Sequence, residues 1–147
     1  MPIKQVELVR AYIRLVAPFR TSFGVETDRD LLYVHVLGDD HEGWGECVAM
    51  AAPLYSPEYV DGCEEVIRRY LLPLVGANST AESFVTAAAS IRGNFMAKAA
   101  LEAALLDYQL RVAKQSLASY LGATQPRVAS GVSVGIQPSI DELINVV

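Results

Sequence analysis

The chain has 147 residues and a formal net charge of −5, and 52% of its residues are hydrophobic against 20% charged. This composition excludes a disordered chain, and the negative charge without a basic run excludes a nucleic-acid-binding protein. The sequence has no apolar stretch of membrane-spanning length, no signal peptide and no C-x-x-C motif, so we expect a cytoplasmic protein with two free thiols and no contact with a membrane.

The first third of the chain predicts an antiparallel meander of three strands. Apolar and polar residues alternate over residues 9–15, and an almost continuous apolar run covers residues 31–37. A polar turn with glycine at both ends leads to a third strand over residues 44–48. The second and third strands therefore form a hairpin.

Two loops that leave this sheet, residues 18–24 and 50–55, carry the best signal of a ligand site. The first contains Phe19 and Phe23, and the second contains Met50 and Tyr55. Aromatic and methionine side chains on loops suit the lining of an apolar substrate pocket. The alternative, that these side chains fold back onto the core of the domain, stays open from the pattern alone.

The middle of the chain predicts helices, each with a residue that can cap its first turn. These N-cap residues are, in chain order, Ser56 followed by Pro57, Ser79 paired with Glu82, Asn94, and Ser116. The longest helix is expected over residues 95–113, where apolar residues follow helical spacing. Strands followed by helices indicate an α+β domain.

The last part of the chain predicts one strand and the start of one helix. Residues 127–136 carry branched apolar residues on one face and small residues, Ser133 among them, on the other. This pattern is typical of a strand in an α/β barrel, whose small face looks into the interior. Ser139 caps a final helix that has no stop signal before Val147, so we expect a chain cut inside a βα unit.

The sequence contains no complete catalytic set. His35 and His41 have no partner at helical spacing and are interpreted as structural. Glu46 is expected to form a salt bridge, because a carboxylate in an apolar strand needs a partner. Glycine loops for phosphates, the nucleophile elbow and the zinc-protease motif do not occur in the sequence.

Five segments, in this order and spacing, resemble the N-terminal part of the enolase superfamily, in particular its o-succinylbenzoate synthase and N-acylamino acid racemase branch. They are PFRTSFG at 18–24, GWGEC at 43–47, LYSPE at 54–58, AKAALEAALLD at 97–107 and GVSVGI at 131–136. The resemblance implies an α+β capping domain over residues 1–125. It also implies that residues 126–147 are the first strand and the start of the first helix of a truncated (β/α)8 barrel.

The resemblance further implies an enzyme that abstracts a proton beside a carboxylate, with Mg²⁺ holding the enediolate and lysines exchanging the proton. The substrate, a small-molecule carboxylate, would meet Phe19, Phe23, Met50, Tyr55 and Ser133. The catalytic lysines and metal ligands would lie on later barrel strands, so this chain is expected to hold none of them and to be inactive without the remainder of the barrel. The whole enzyme would be a cytoplasmic homo-oligomer, and an o-succinylbenzoate synthase would act in menaquinone biosynthesis.

Two alternatives remain at this point. A muconate cycloisomerase or dipeptide epimerase of the same superfamily would share these features. A non-catalytic binding or interaction domain would instead use the apolar loops as a partner surface.

Overall fold

The computed structural model describes residues 2–22 and 24–147, and its sheet has three antiparallel strands in the order β1-β2-β3. Strand β1 spans Gln5–Thr21, β2 spans Gly24–Leu37 and β3 spans Glu42–Cys47. The predicted meander is confirmed, and β1 and β2 extend well beyond the segments that alternation indicated.

Helices follow the sheet, which confirms the α+β class. They are α1 (Val60–Val66), continued by a π-helical turn (Ile67–Leu71) and a 3₁₀ turn (Leu72–Leu74), α2 (Ala81–Ala87), continued by a 3₁₀ turn (Ala88–Ser90), α3 (Phe95–Ala113), α4 (Leu117–Tyr120) and α5 (Ile140–Val146). In the part of the chain that the structure describes, none of these helices has the length and hydrophobicity to cross a membrane.

The core is closed by α3, which lies directly against the backbone of β3. A β-carbon on Gly43 would overlap the carbonyl oxygen of Ala104, and one on Gly45 would overlap that of Ala100. Ala100 and Ala104 are themselves fully buried. Glycine on the strand and small alanines on the helix therefore bring two backbones into contact.

An ion cluster around Arg10 joins the sheet to α1. The guanidinium donates two hydrogen bonds to Asp30, at 2.6 and 2.5 Å, and further bonds to Asp61 at 2.7 Å and Glu64 at 2.9 Å. Arg10 lowers the pKa of Asp30, and Arg68 followed by Arg10 lowers the pKa of Glu64. The cluster therefore holds α1 against the paired strands β1 and β2.

We predict that this cluster makes stability depend on acid pH. A carboxylate whose pKa is lowered by folding stabilises the fold at any pH above its ordinary pKa, which is 3.8 for Asp30 and 4.5 for Glu64. This contribution is lost as the pH falls towards the lowered pKa of the folded state. The melting temperature should therefore drop below about pH 4.5. Arg10→Leu should flatten this drop, whereas Arg69→Leu, which removes an exposed pair with Glu65, should keep it. Thermal melts followed by circular dichroism from pH 7 to pH 3 check this, and identical profiles for Arg10→Leu and wild type would contradict it.

Two predicted helix starts are shifted. Helix α1 begins at Val60 after Tyr59, so Ser56 and Pro57 belong to the preceding loop. For α2 the cap is Thr80, whose hydroxyl oxygen accepts from the Ser83 amide at 3.1 Å while the Ser83 hydroxyl oxygen accepts from the Thr80 amide at 2.9 Å. The neighbouring Ser79 hydroxyl accepts from the amide of Gly76 in the turn before the helix.

Two other caps are confirmed. The hydroxyl oxygen of Ser116 accepts from the Ser119 amide at 3.1 Å at the start of α4, and Gly122 follows with a φ of 67°. The hydroxyl oxygen of Ser139 accepts from the Glu142 amide at 3.2 Å at the start of α5.

The predicted strand over residues 127–136 is wrong, since this segment carries no strand in the structure. A backbone hydrogen bond runs from the Ile136 amide to the Arg20 carbonyl of β1 at 2.9 Å. Val128 and Val132 are 84% and 85% exposed. A strand needs a hydrogen-bonded neighbour along its length, and among the described residues this segment is not part of the sheet.

Candidate functional site

The first of the two predicted loops is the end of a long β-hairpin. Strands β1 and β2 stay paired as far as Thr21 and Gly24, with an irregular register between Arg14 and Phe19. Between these pairs β1 has residues 15–18 and β2 has residue 27 alone, so the extra residues of β1 bulge from the ladder, and Pro18 among them has no amide hydrogen to donate. The interpretation of residues 18–24 as a loop is therefore wrong, because the strands run through most of it.

Phe19 lies half-buried on β1, opposite Glu26 of β2. Its ring approaches to 3.3 Å the position that a β-carbon on Gly135 would take. Phe19 therefore contacts the segment that carries Ser133, although Ser133 itself is exposed. Phe23 lies outside the described residues.

The second predicted loop is confirmed, and we define it as residues 48–59, between β3 and α1. Met50 is half-buried at its start, and its carbonyl oxygen accepts from the Val60 amide at 2.9 Å. Met50 also forms a parallel bridge with Tyr59. Tyr55, near the middle of the loop, is 72% exposed.

A cleft of about 160 Å³ separates the hairpin from the second loop. Its lining includes Glu26, Asp28 and Arg29 from β2 and Met50, Ala52 and Leu54 from the second loop. The structure thus brings Met50 to the hairpin, whereas Phe19, Tyr55 and Ser133 lie outside this lining.

The charged wall of the cleft is the feature that sequence reasoning missed. The Arg29 guanidinium lies 3.2 Å from the Glu26 carboxylate. Glu26, Asp28 and Asp30 follow the period-two spacing that puts side chains on one face of a strand. That spacing was the available signal, but it falls in a segment that hydrophobic alternation did not assign to a strand.

Helix α3 begins at an unexpected cap. Asn94 precedes the helix as predicted, but it has a φ of 55° and its side chain makes no capping bond. Glu58 takes that role, because its carboxylate accepts from the amides of Phe95 at 2.8 Å, Met96 at 2.9 Å and Ala97 at 3.3 Å. The end of the second loop is therefore bound to the first turn of α3.

The outer face of the sheet carries a structural histidine. His35 stacks on Trp44 with the ring centroids 3.7 Å apart, and its Nε2 lies 3.0 Å from the Glu42 carboxylate. That hydrogen bond lowers the pKa of Glu42. The prediction that Glu46 forms a salt bridge is wrong, since no ion pair among the described residues includes Glu46. Its side chain is exposed, so water solvates the carboxylate.

The described residues do not fit a metal ion such as Mg²⁺. No group of three or more His, Cys, Asp or Glu side chains within residues 2–22 and 24–147 converges as metal ligands would. Asp30, Asp61 and Glu64 each form an ion pair with the Arg10 guanidinium instead. Cys47 and Cys63 are both buried as free thiols.

An antiparallel three-stranded meander followed by helices is the capping-domain fold of the enolase superfamily. Residues 3–122 match the family described as "Mandelate racemase / muconate lactonizing enzyme, N-terminal domain". The chain belongs to this family.

Known relatives agree with this assignment. The chain is 48% identical to an N-succinylamino acid racemase from Amycolatopsis sp. over 100% of its own length, and 38% identical to an o-succinylbenzoate synthase from Geobacillus kaustophilus over 99%. The crystal structure of an enolase-superfamily member from Listeria innocua Clip11262 superposes with a TM-score of 0.88 at 32% identity, covering 98% of this chain. In each case the chain spans 40% of the length of the protein it matches.

Proposed function

We propose that this chain is the N-terminal part of an enolase-superfamily enzyme that abstracts a proton beside a carboxylate, as an o-succinylbenzoate synthase, an N-acylamino acid racemase or both. The observation that carries the proposal is the 48% identity to an N-succinylamino acid racemase along the whole chain. In this proposal residues 1–125 form the capping domain and residues 126–147 begin the barrel.

The exposure of residues 126–147 supports this division. Val132 is 85% exposed, Ile140 is 76% exposed and Val147 is 90% exposed, although all three are apolar. Apolar side chains in such a row cost free energy in water and gain it when covered. The remaining strands and helices of a barrel would cover them.

We assign substrate recognition to Phe19, Phe23, Met50, Tyr55 and Ser133. Support comes from the cleft between the hairpin and the second loop, which Met50 lines, and from the contact of Phe19 with the segment of Ser133. These residues would hold a small carboxylate substrate through shape and apolar contact, and they would exclude water from it. Mg²⁺ would stabilise the enediolate, with its ligands and the catalytic lysines outside this chain.

A muconate cycloisomerase is the second candidate, because the family that the chain matches includes muconate lactonizing enzymes by name. A dipeptide epimerase would use the same capping domain with a different lining. We further propose that the whole enzyme is a cytoplasmic homo-oligomer that acts on a small molecule.

The activity of the complete protein tests the proposal. With Mg²⁺ present, we expect it to racemise N-succinylamino acids, to form o-succinylbenzoate by dehydration, or to do both, and to lose activity on addition of EDTA and regain it with excess Mg²⁺. Chiral chromatography and ultraviolet absorbance follow the two products. The proposed substrates would be wrong if the folded complete protein turned over muconate or a dipeptide but neither of the two proposed substrates.

A further inference from the structure

We propose that Glu58 is a positioning residue, which binds the second loop to the first turn of α3 and thereby fixes the location of Met50 and Tyr55 beside the substrate. This inference rests on the proposed function in one respect, namely that the second loop faces the substrate. The attachment itself rests on hydrogen bonds within the chain.

The hydrogen bonds from the first turn of α3 to the Glu58 carboxylate are strong, because they pair a negative charge with the positive end of the helix. The first amides of a helix have no partner within the helix, and the positive end of the helix dipole favours a negative charge there. The Glu58 carboxylate accepts from three of these amides, those of Phe95, Met96 and Ala97. Hydrogen bonds to an ionised acceptor are about twice as strong as neutral ones.

The loop side of the attachment lies at the exit of the second loop. The Glu58 amide donates to the Ser56 hydroxyl at 3.0 Å, and two residues later the Val60 amide donates to the Met50 carbonyl at 2.9 Å. These bonds close the loop into a ring, with Met50 at one end of the closure and Glu58 beside it. Residues 51–55 between them are exposed.

The same arrangement couples the loop to the cleft. Met50 lines the cleft opposite Glu26 and Arg29 of the hairpin. If the Glu58 carboxylate loses its hold on α3, the second loop can move relative to the hairpin and change the width of the cleft. The Cys63 thiol, 3.7 Å from the same carboxylate, adds a weak bond from α1.

Glu58→Gln in the complete protein tests the role, because it keeps the size of the side chain but removes the charge and one acceptor oxygen. We expect KM to rise about tenfold with kcat within about twofold of wild type, since the loop binds substrate and does not react with it. Hydrogen exchange at the amides of Leu54, Glu58 and Val60 should accelerate about tenfold. Glu58→Asp should restore part of both properties.

Thr80→Ala is the control, because it removes a helix cap from α2 without touching the second loop. It should leave KM and loop exchange unchanged. If Glu58→Gln frays the first turn of α3 but changes neither loop exchange nor KM, Glu58 is a helix cap alone and the inference is wrong. Should the complete protein turn over neither substrate, the proposed function fails, while the exchange measurement still decides the attachment of the loop.

Discussion

Replacement of Gly45 by alanine is expected to destabilise the capping domain by about 3 kcal/mol, the upper end of the usual cost of overpacking. The added methyl group would overlap the carbonyl oxygen of Ala100 and lie 2.8 Å from the amide nitrogen of Ala104. Both atoms belong to the backbone of α3 and cannot rotate away as a side chain would. The helix would have to move away from β3, which would open the core along the strand.

Gly76→Ala is the control for this substitution, because Gly76 is exposed and a β-carbon there would meet only the Ser79 hydroxyl oxygen, at 4.0 Å. A surface change of this kind should alter stability by no more than about 0.5 kcal/mol. Urea unfolding followed by circular dichroism compares the two variants with wild type. Equal unfolding midpoints for both variants would show that α3 and β3 are not in direct backbone contact.

Truncation of Phe19 to alanine is expected to lower kcat/KM of the complete protein by ten- to a hundredfold, which is the usual effect of lost apolar contact in a substrate pocket. The ring is half-buried on β1 and packs against the backbone at Gly135. Its loss would leave a gap between the hairpin and the segment of Ser133. The expected effect falls mainly on KM, because Phe19 has no group that takes part in proton transfer.

Tyr70→Ala is the control for Phe19, because it removes an aromatic ring that is 55% exposed on the turn after α1. Steady-state kinetics with an N-succinylamino acid compare the two variants, and thermal melts confirm that each is folded. Equal kinetics for Phe19→Ala and Tyr70→Ala would remove Phe19 from the substrate site.

The sequence predicted those strands and helix starts that depend on a pattern of neighbouring residues. Alternation over residues 9–15 and the apolar run over residues 31–37 identified two strands, and Ser116 and Ser139 identified two helix starts. Ser79 and Thr80 are adjacent and chemically similar, so the sequence could not say which of them caps α2. Contacts within the folded chain decided that choice.

The features that escaped prediction depend on residues far apart in the chain. Glu58 caps a helix that begins 37 residues later, and a pattern of neighbouring residues does not predict such a bond. Beyond residue 15 the hairpin lacks a regular alternation of apolar and polar residues, so the pattern did not predict a strand there, although cross-strand pairing continues. The strand predicted over residues 127–136 is absent because a strand needs a hydrogen-bonded neighbour along its length, and in the described part of the chain this segment is not paired along its length.

We propose that this chain supplies residues that recognise a substrate, while the groups that react with the substrate lie outside this chain. The most direct test compares N-succinylamino acid racemisation by the 147-residue chain alone and by the chain fused to the part of the Amycolatopsis racemase that it does not match, both with Mg²⁺. We predict no turnover above background for the chain alone and Mg²⁺-dependent racemisation by the fusion. Turnover by the 147-residue chain itself would contradict the account.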